Sequence, residues 1–156
     1  MIAKAGDIYC VYNKSLKKYT ACQVTKIDES GKKPQAIIIS LDWASDELPK
    51  EEELALMKPL YIDYMYWDGT FNLKKVDVNV PSNYVYVGNI KPVNNEDTGT
   101  YGGWSIDVEV YNQFKWLKIP KEQRDVFKAA DASNEHVEFE GNRRRLSTHS
   151  ENDKWH

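Results

Sequence analysis

The first clear pattern along the chain is a pair of apolar-aromatic runs separated by a polar break. Gly6-Asp7-Ile8-Tyr9-Cys10-Val11-Tyr12 and Tyr19-Thr20-Ala21-Cys22-Gln23-Val24-Thr25-Lys26-Ile27 flank Asn13-Lys14-Ser15-Leu16-Lys17-Lys18, which predicts a β-hairpin opening a small β-rich domain. A register pairing Ile8 with Val24 and Tyr12 with Thr20 also sets Cys10 opposite Cys22. Two reduced core thiols in neighbouring strands are expected, with a cross-strand disulfide as the alternative. After the polar cluster Asp28–Pro34, Gln35–Leu41 is a continuous apolar run and predicts a central strand buried on both faces. Asp42–Glu47 is expected to leave the sheet. Leu48–Met57 predicts a short helix, with Pro49 near its start and Glu51, Glu52 and Glu53 in its first turn, where negative charge complements the helix dipole.

Leu60–Trp67 alternates imperfectly and ends at the turn Asp68-Gly69, and strands are predicted over Leu73–Val80 and Tyr84–Ile90. Residues 91–103 carry Pro92, Gly99 and Gly102-Gly103 and read as irregular. Trp104–Val110 alternates strictly, predicting a strand with Ser105, Asp107 and Glu109 on its outward face, turned by Asn112-Gln113 into Phe114–Ile119. Pro120–Ala130 is the best helical segment, with Val126, Phe127 and Ala130 on one side. His136–Glu140 adds an edge strand. The expectation is a mainly-β or α+β single domain over residues 1–141, with about eight short, mostly antiparallel strands and two helices, and a mobile tail over 142–156.

Composition narrows the function classes. At 156 residues with 12% aromatic content, the chain is long enough for one self-sufficient core and too aromatic for disorder. The net charge of −3 argues for neither nucleic acid nor membrane, but it is unevenly spread. Residues 1–35 carry a net of +4, residues 36–115 a net of −7, and residues 116–156 balance. An acidic middle is either a solvated face or an electrostatic face for a basic partner. Met1–Asp7 runs into the first strand without a signal-peptide core, and no apolar run approaches a membrane span, so a cytoplasmic protein is expected.

Gly6–Ile27 resembles the first hairpin of SH3-like and tudor-type barrels. It also resembles the start of immunity proteins from bacterial polymorphic-toxin and contact-dependent growth inhibition systems. Asp42-Trp43, Met65-Tyr66-Trp67 and Val80-Pro81-Ser82-Asn83-Tyr84 carry the same likeness. The resemblance implies a cytoplasmic protein without enzymatic activity or cofactor, whose partner is a cognate toxin domain. A binding surface is then expected among Asp42, Trp43, Asp46 and Glu47, around Asp63, Tyr64, Tyr66, Trp67 and Asp68, and at Asp107 and Glu109. Carboxylates there would occupy the phosphate positions of a nuclease toxin, and aromatic anchors would supply contact area. The alternative is a peptide or nucleic-acid reader of SH3-like or tudor-like type.

Catalysis is the weaker class. Asp107 and Glu109 would lie about 7 Å apart on one strand face, a spacing for a cation or an acid/base pair. No His or Cys lies close to them in sequence, and a nucleophilic Cys10 or Cys22 has only His136 as a candidate base. With three scattered His and no second Cys pair, a metal site is not expected, and Arg143-Arg144-Arg145 reads as a solvated basic run rather than a nucleic-acid site.

Overall fold

The opening hairpin forms, one residue out of the expected register. The computed structural model describes residues 1–64, 69–133, 136–139 and 142–145. β1 (Asp7–Asn13) and β2 (Lys18–Asp28) pair antiparallel with Tyr9 opposite Cys22 and Cys10 opposite Ala21. The turn sets this register. Asn13 is itself paired, with Lys18. Its side-chain oxygen accepts from the Leu16 N–H at 3.0 Å, its carbonyl accepts from the Lys17 N–H at 2.8 Å, and Lys17 adopts the left-handed φ of 58°. Because strand side chains alternate, the one-residue difference places Cys10 and Cys22 on opposite faces of the sheet. Both thiols are free and buried.

β3 (Gln35–Ser45) follows, and Ile37, Ile38 and Ile39 are fully buried on it. Their β-branched side chains suit a pleated strand, and each burial contributes about 2–3 kcal/mol. The strand runs past the expected exit at Asp42. Beyond a bulge, Ala44 and Ser45 pair with Thr20 and Tyr19. On the other side the backbone at 58–60 lies alongside, with Asp42 N–H donating to Lys58 O at 2.7 Å and Leu60 N–H to Ser40 O at 2.9 Å. Backbone partners on both sides keep Asp42 and Trp43 in the strand.

The helix predicted over 48–57 is the single turn α1 (Glu51–Leu54). β4 (Tyr61–Ile62) and β5 (Thr70–Phe71) form a two-stranded ribbon, and β6 (Leu73–Asp77) and β7 (Val85–Asn89) complete a five-stranded antiparallel sheet of order β6-β3-β2-β1-β7. One face of this sheet carries Ile8, Cys10, Ala21, Ile39 and Leu41, covered by Leu54 and Met57. On the other, Tyr9 meets the Trp104 ring edge-on at 5.8 Å, and Tyr84 meets it at 5.4 Å. Trp104 is held by its indole N–H on Asp77 O at 2.8 Å and by its carbonyl, which accepts from the Tyr84 hydroxyl at 2.5 Å. Two covered faces explain the unbroken apolar run of β3.

Two buried polar side chains tie loops to this sheet. Gln23 is fully buried, and its amide donates to the carbonyls of Gly6 and Ile90 at 3.2 Å and accepts from Val93 N–H at 2.9 Å. At Gly6, with φ of 93°, a Cβ would stand 2.6 Å from Ile90 O, so only glycine fits. Lys75 is 8% exposed and pairs with Asp28 at 2.8 Å and Asp97 at 3.4 Å, its ammonium 5.5 Å from the Tyr101 ring centre. That arrangement holds residues 97–102 along the outer edge of β6, where Lys75 N–H donates to Thr100 O and Gly102 N–H to Lys75 O.

The described residues divide into two compact units, Met1–Tyr61 with Phe71–Ile106, and Ile62–Thr70 with Asp107 onward. The second contains α2 (Asp107–Leu117), α3 (Lys121–Ser133) and a hairpin of β8 (His136–Phe139) and β9 (Asn142–Arg145). The strands expected at 104–110 and 114–119, and the turn between them, are replaced by the single helix α2. Its buried residues Val110, Asn112, Gln113 and Trp116 follow helical spacing, while Val108, apolar in the alternation, is 38% exposed. α3 forms where a helix was expected, with Pro120 O accepting from the N–H groups of Gln123 and Arg124, but Val126, expected on its apolar side, is 64% exposed. Residues 142–145, assigned to the tail from sequence, form β9, and 146–156 lie outside the described residues. The fold is α+β, with antiparallel pairing throughout the five-stranded sheet.

Candidate functional site

The end of β3 and the loop that follows bring together Asp42, Trp43, Asp46 and Glu47. Asp42, Asp46 and Glu47 are exposed, and Trp43 is half-buried. The position of Trp43 is fixed from both ends of its side chain. Its ring packs against the core beneath α1, and its indole N–H donates to Glu53 Oε2 at 3.3 Å. Glu53 Oε1 accepts from the Lys50 N–H at 3.1 Å, and these two bonds hold the carboxyl below its ordinary range. In the sequence Glu51–Glu53 stand out only as a complement to the helix dipole, and no local pattern marks Glu53 as the partner of Trp43. Asp46 pairs with Lys18 at 2.9 Å in the open, an interaction of little energetic weight. Among the described residues Asp42, Glu47, Glu51 and Glu52 enter no ion pair, which leaves uncompensated negative charge on both sides of Trp43 in the sequence.

The other expected site residues are placed differently. Tyr66, Trp67 and Asp68 lie outside the described residues. Asp63 and Tyr64 belong to the second unit and are clamped there by Gln113, a residue read from sequence as part of a turn. Gln113 Oε1 accepts from the N–H groups of Asp63 at 2.8 Å and Tyr64 at 3.1 Å, and its Nε2 donates to Asp63 Oδ1 at 2.7 Å. Tyr64 is 2% exposed and so offers no contact surface. Asp107 and Glu109 stand in the first turn of α2 rather than on a strand. Residues two apart on a helix point to different sides, so the paired-carboxylate face expected of them does not form.

Burial pushes the Cys10 and Cys22 thiols up to about 12, so both stay protonated at neutral pH and are poor nucleophiles. Tyr9 is likewise held well above the usual phenol range by burial and by its hydrogen bond to Asp7 Oδ2 at 3.0 Å. Among the described residues no group of three or more His, Cys, Asp or Glu side chains is arranged to hold a metal ion. Among the same residues no helix is long and apolar enough to cross a membrane. No protein-family model, no curated protein and no solved structure matches this chain.

Proposed function

We propose that the protein is a cytoplasmic immunity protein that binds and neutralises a cognate secreted toxin domain without enzymatic activity of its own. The observation that carries this reading is the run Asp42–Glu53, in which exposed carboxylates precede and follow, along the chain, a half-buried indole fixed by Glu53. Exposed, unpaired carboxylates on a segment held by a fixed aromatic ring suit a basic protein surface, and a nuclease toxin with its phosphate-binding site is the chemistry they fit best. Charge pairs desolvated on binding couple by about 1.5–7 kcal/mol, enough for tight and salt-sensitive association.

A second reading, an SH3-like or tudor-like module for peptide or nucleic acid, is favoured by the strand order. There a meander of four strands is followed by one that returns to the free side of the first. The two differ in affinity: an immunity protein holds one partner at nanomolar strength or better, whereas a peptide reader binds weakly and tolerates several ligands.

The deciding experiment is rescue. The last 150 or so codons of the gene immediately upstream are induced in a bacterium with and without this protein. Growth arrest relieved by this protein, with the pair co-purifying, supports immunity; a harmless fragment, or toxicity without rescue, refutes it. In the rescued pair, Asp42→Lys with Glu47→Lys should weaken binding more than tenfold, mainly through the on-rate at low salt. Both positions are exposed, so the doubly substituted protein should keep its fold.

A further inference from the structure

The five-stranded sheet has two edges, and they are finished differently. The β6 edge is covered by residues 97–102. Among the described residues no strand pairs with the outer edge of β7, whose sequence Val85-Tyr86-Val87-Gly88-Asn89 contains no charge and no proline. Val85 is 40% and Tyr86 45% exposed. Sheet edges left open are ordinarily blunted by lysine, proline or a covering segment, because their unpaired N–H and C=O groups template pairing with another chain.

Two hollows open beside this strand, one on each face of the sheet. The first, of about 240 Å³, is lined by Met1, Ile2, Lys4, Asp7 and Tyr86, on the Tyr9 face. The second, of about 390 Å³, lies on the Ile8 face between β7 and α1, where Gly88 meets Leu54 and Glu51 stands at the wall. The opposite placement follows from the bulge in β7, which sets Tyr86 opposite Tyr9 but Gly88 opposite Ile8. A strand added to β7 would send successive side chains to alternate faces, one kind into each hollow.

We infer that the outer edge of β7 binds an extended segment of a partner protein as a sixth strand, with an apolar side chain in the Met1–Ile2–Tyr86 hollow and a lysine or arginine beside Glu51. Main-chain hydrogen bonds supply affinity, and the two hollows supply selectivity for side chains an odd number of residues apart. The basic side chain is assigned by charge: Glu51 and Glu52 are exposed and, among the described residues, unpaired, while the strand they flank is neutral. This inference does not require the partner to be a toxin.

The test is selection of a phage-displayed library of random linear dodecapeptides on the full chain, followed by hydrogen exchange with the best synthetic peptide. The expected result is a peptide with a basic and an apolar residue at odd separation that slows exchange in residues 85–89. N-methylation of the peptide at alternate backbone nitrogens should weaken binding at least tenfold in one register and little in the other. Glu51→Lys should weaken it at least fivefold without lowering the melting temperature, since Glu51 is exposed. Recovery of no peptide, or protection away from β7, overturns the inference. So does a concentration-dependent dimer that protects β7 without peptide, which would make a second copy of this chain the occupant.

Discussion

Truncation of Gln113 is the sharpest test of the second unit. The side chain is 1% exposed and makes three hydrogen bonds, at 2.8 and 3.1 Å to the N–H groups of Asp63 and Tyr64 and at 2.7 Å to Asp63 Oδ1. Gln113→Ala forfeits about 1 kcal/mol for each bond. The expected loss is therefore about 3 kcal/mol. With a urea slope of about 2 kcal/mol/M, the unfolding midpoint read by tryptophan fluorescence should fall by about 1.5 M. A fall of less than about 0.5 M would refute the clamp.

Gln113→Glu separates the bonds. It keeps oxygen acceptors for both N–H groups but sets a second carboxylate against Asp63, so the pair should hold a proton above the ordinary carboxylate range. The folded form then binds more protons than the unfolded chain, and this variant should gain stability as pH falls towards 4, in contrast to the parent. Adding Asp63→Asn restores a donor and should recover most of the loss at neutral pH, as a double-mutant cycle would measure.

Gly88→Ala should cost about 1–3 kcal/mol by crowding, since its Cβ would stand 2.4 Å from Leu54 Cδ1; thermal melts should show the cost shrinking in a Leu54→Ala background. Cys10 and Cys22, buried on opposite faces, should resist thiol reagents in the native protein at pH 8 and form no disulfide under mild oxidation, whereas urea should expose both to labelling. The Asp28 carboxyl is held far below its usual range chiefly by its hydrogen bond to Lys75. A depressed folded value means that its stabilisation is present above the unfolded value near ~4 and fades as pH falls through and below it. Asp28→Asn should therefore flatten the acid limb of a stability-against-pH curve.

Most of the sheet was legible because its strands follow simple rules. Ile37–Ile39 reads as a strand buried on both faces because that is how β-branched runs are used, and α3 reads as a helix because Pro120 and its apolar side obey helical spacing. α2 was hidden because two of its buried positions are the polar Asn112 and Gln113. Removing them from the apolar count leaves Trp104, Ile106, Val108 and Val110, which imitate strand alternation over seven residues. The hairpin register escaped because it depends on Asn13 joining the ladder and on Lys17 taking a left-handed backbone, which neither composition nor alternation reveals. Asp42, Trp43, Asp46 and Glu47 were legible as a cluster because they are near neighbours in sequence. The tie from Trp43 to Glu53 was not, because it needs the chain to return ten residues later.

That tie also decides which carboxylates remain for a partner. Glu53 is committed to Trp43 and Lys50, and Asp46 to Lys18, so Asp42, Glu47, Glu51 and Glu52 carry the outward charge. Glu51 is the one of these four that also lines the hollow beside β7. The α1 end of the acidic run therefore borders the open sheet edge, and one basic partner strand lying on β7 would bring its positive charge beside Glu51. The two contributions separate by their nature. Reversing Asp42 and Glu47 should slow association and flatten its salt dependence, because charges outside a buried contact act mainly on encounter. Blocking the peptide nitrogens that face β7 should instead speed dissociation and leave the salt dependence intact, because it removes short-range main-chain bonds.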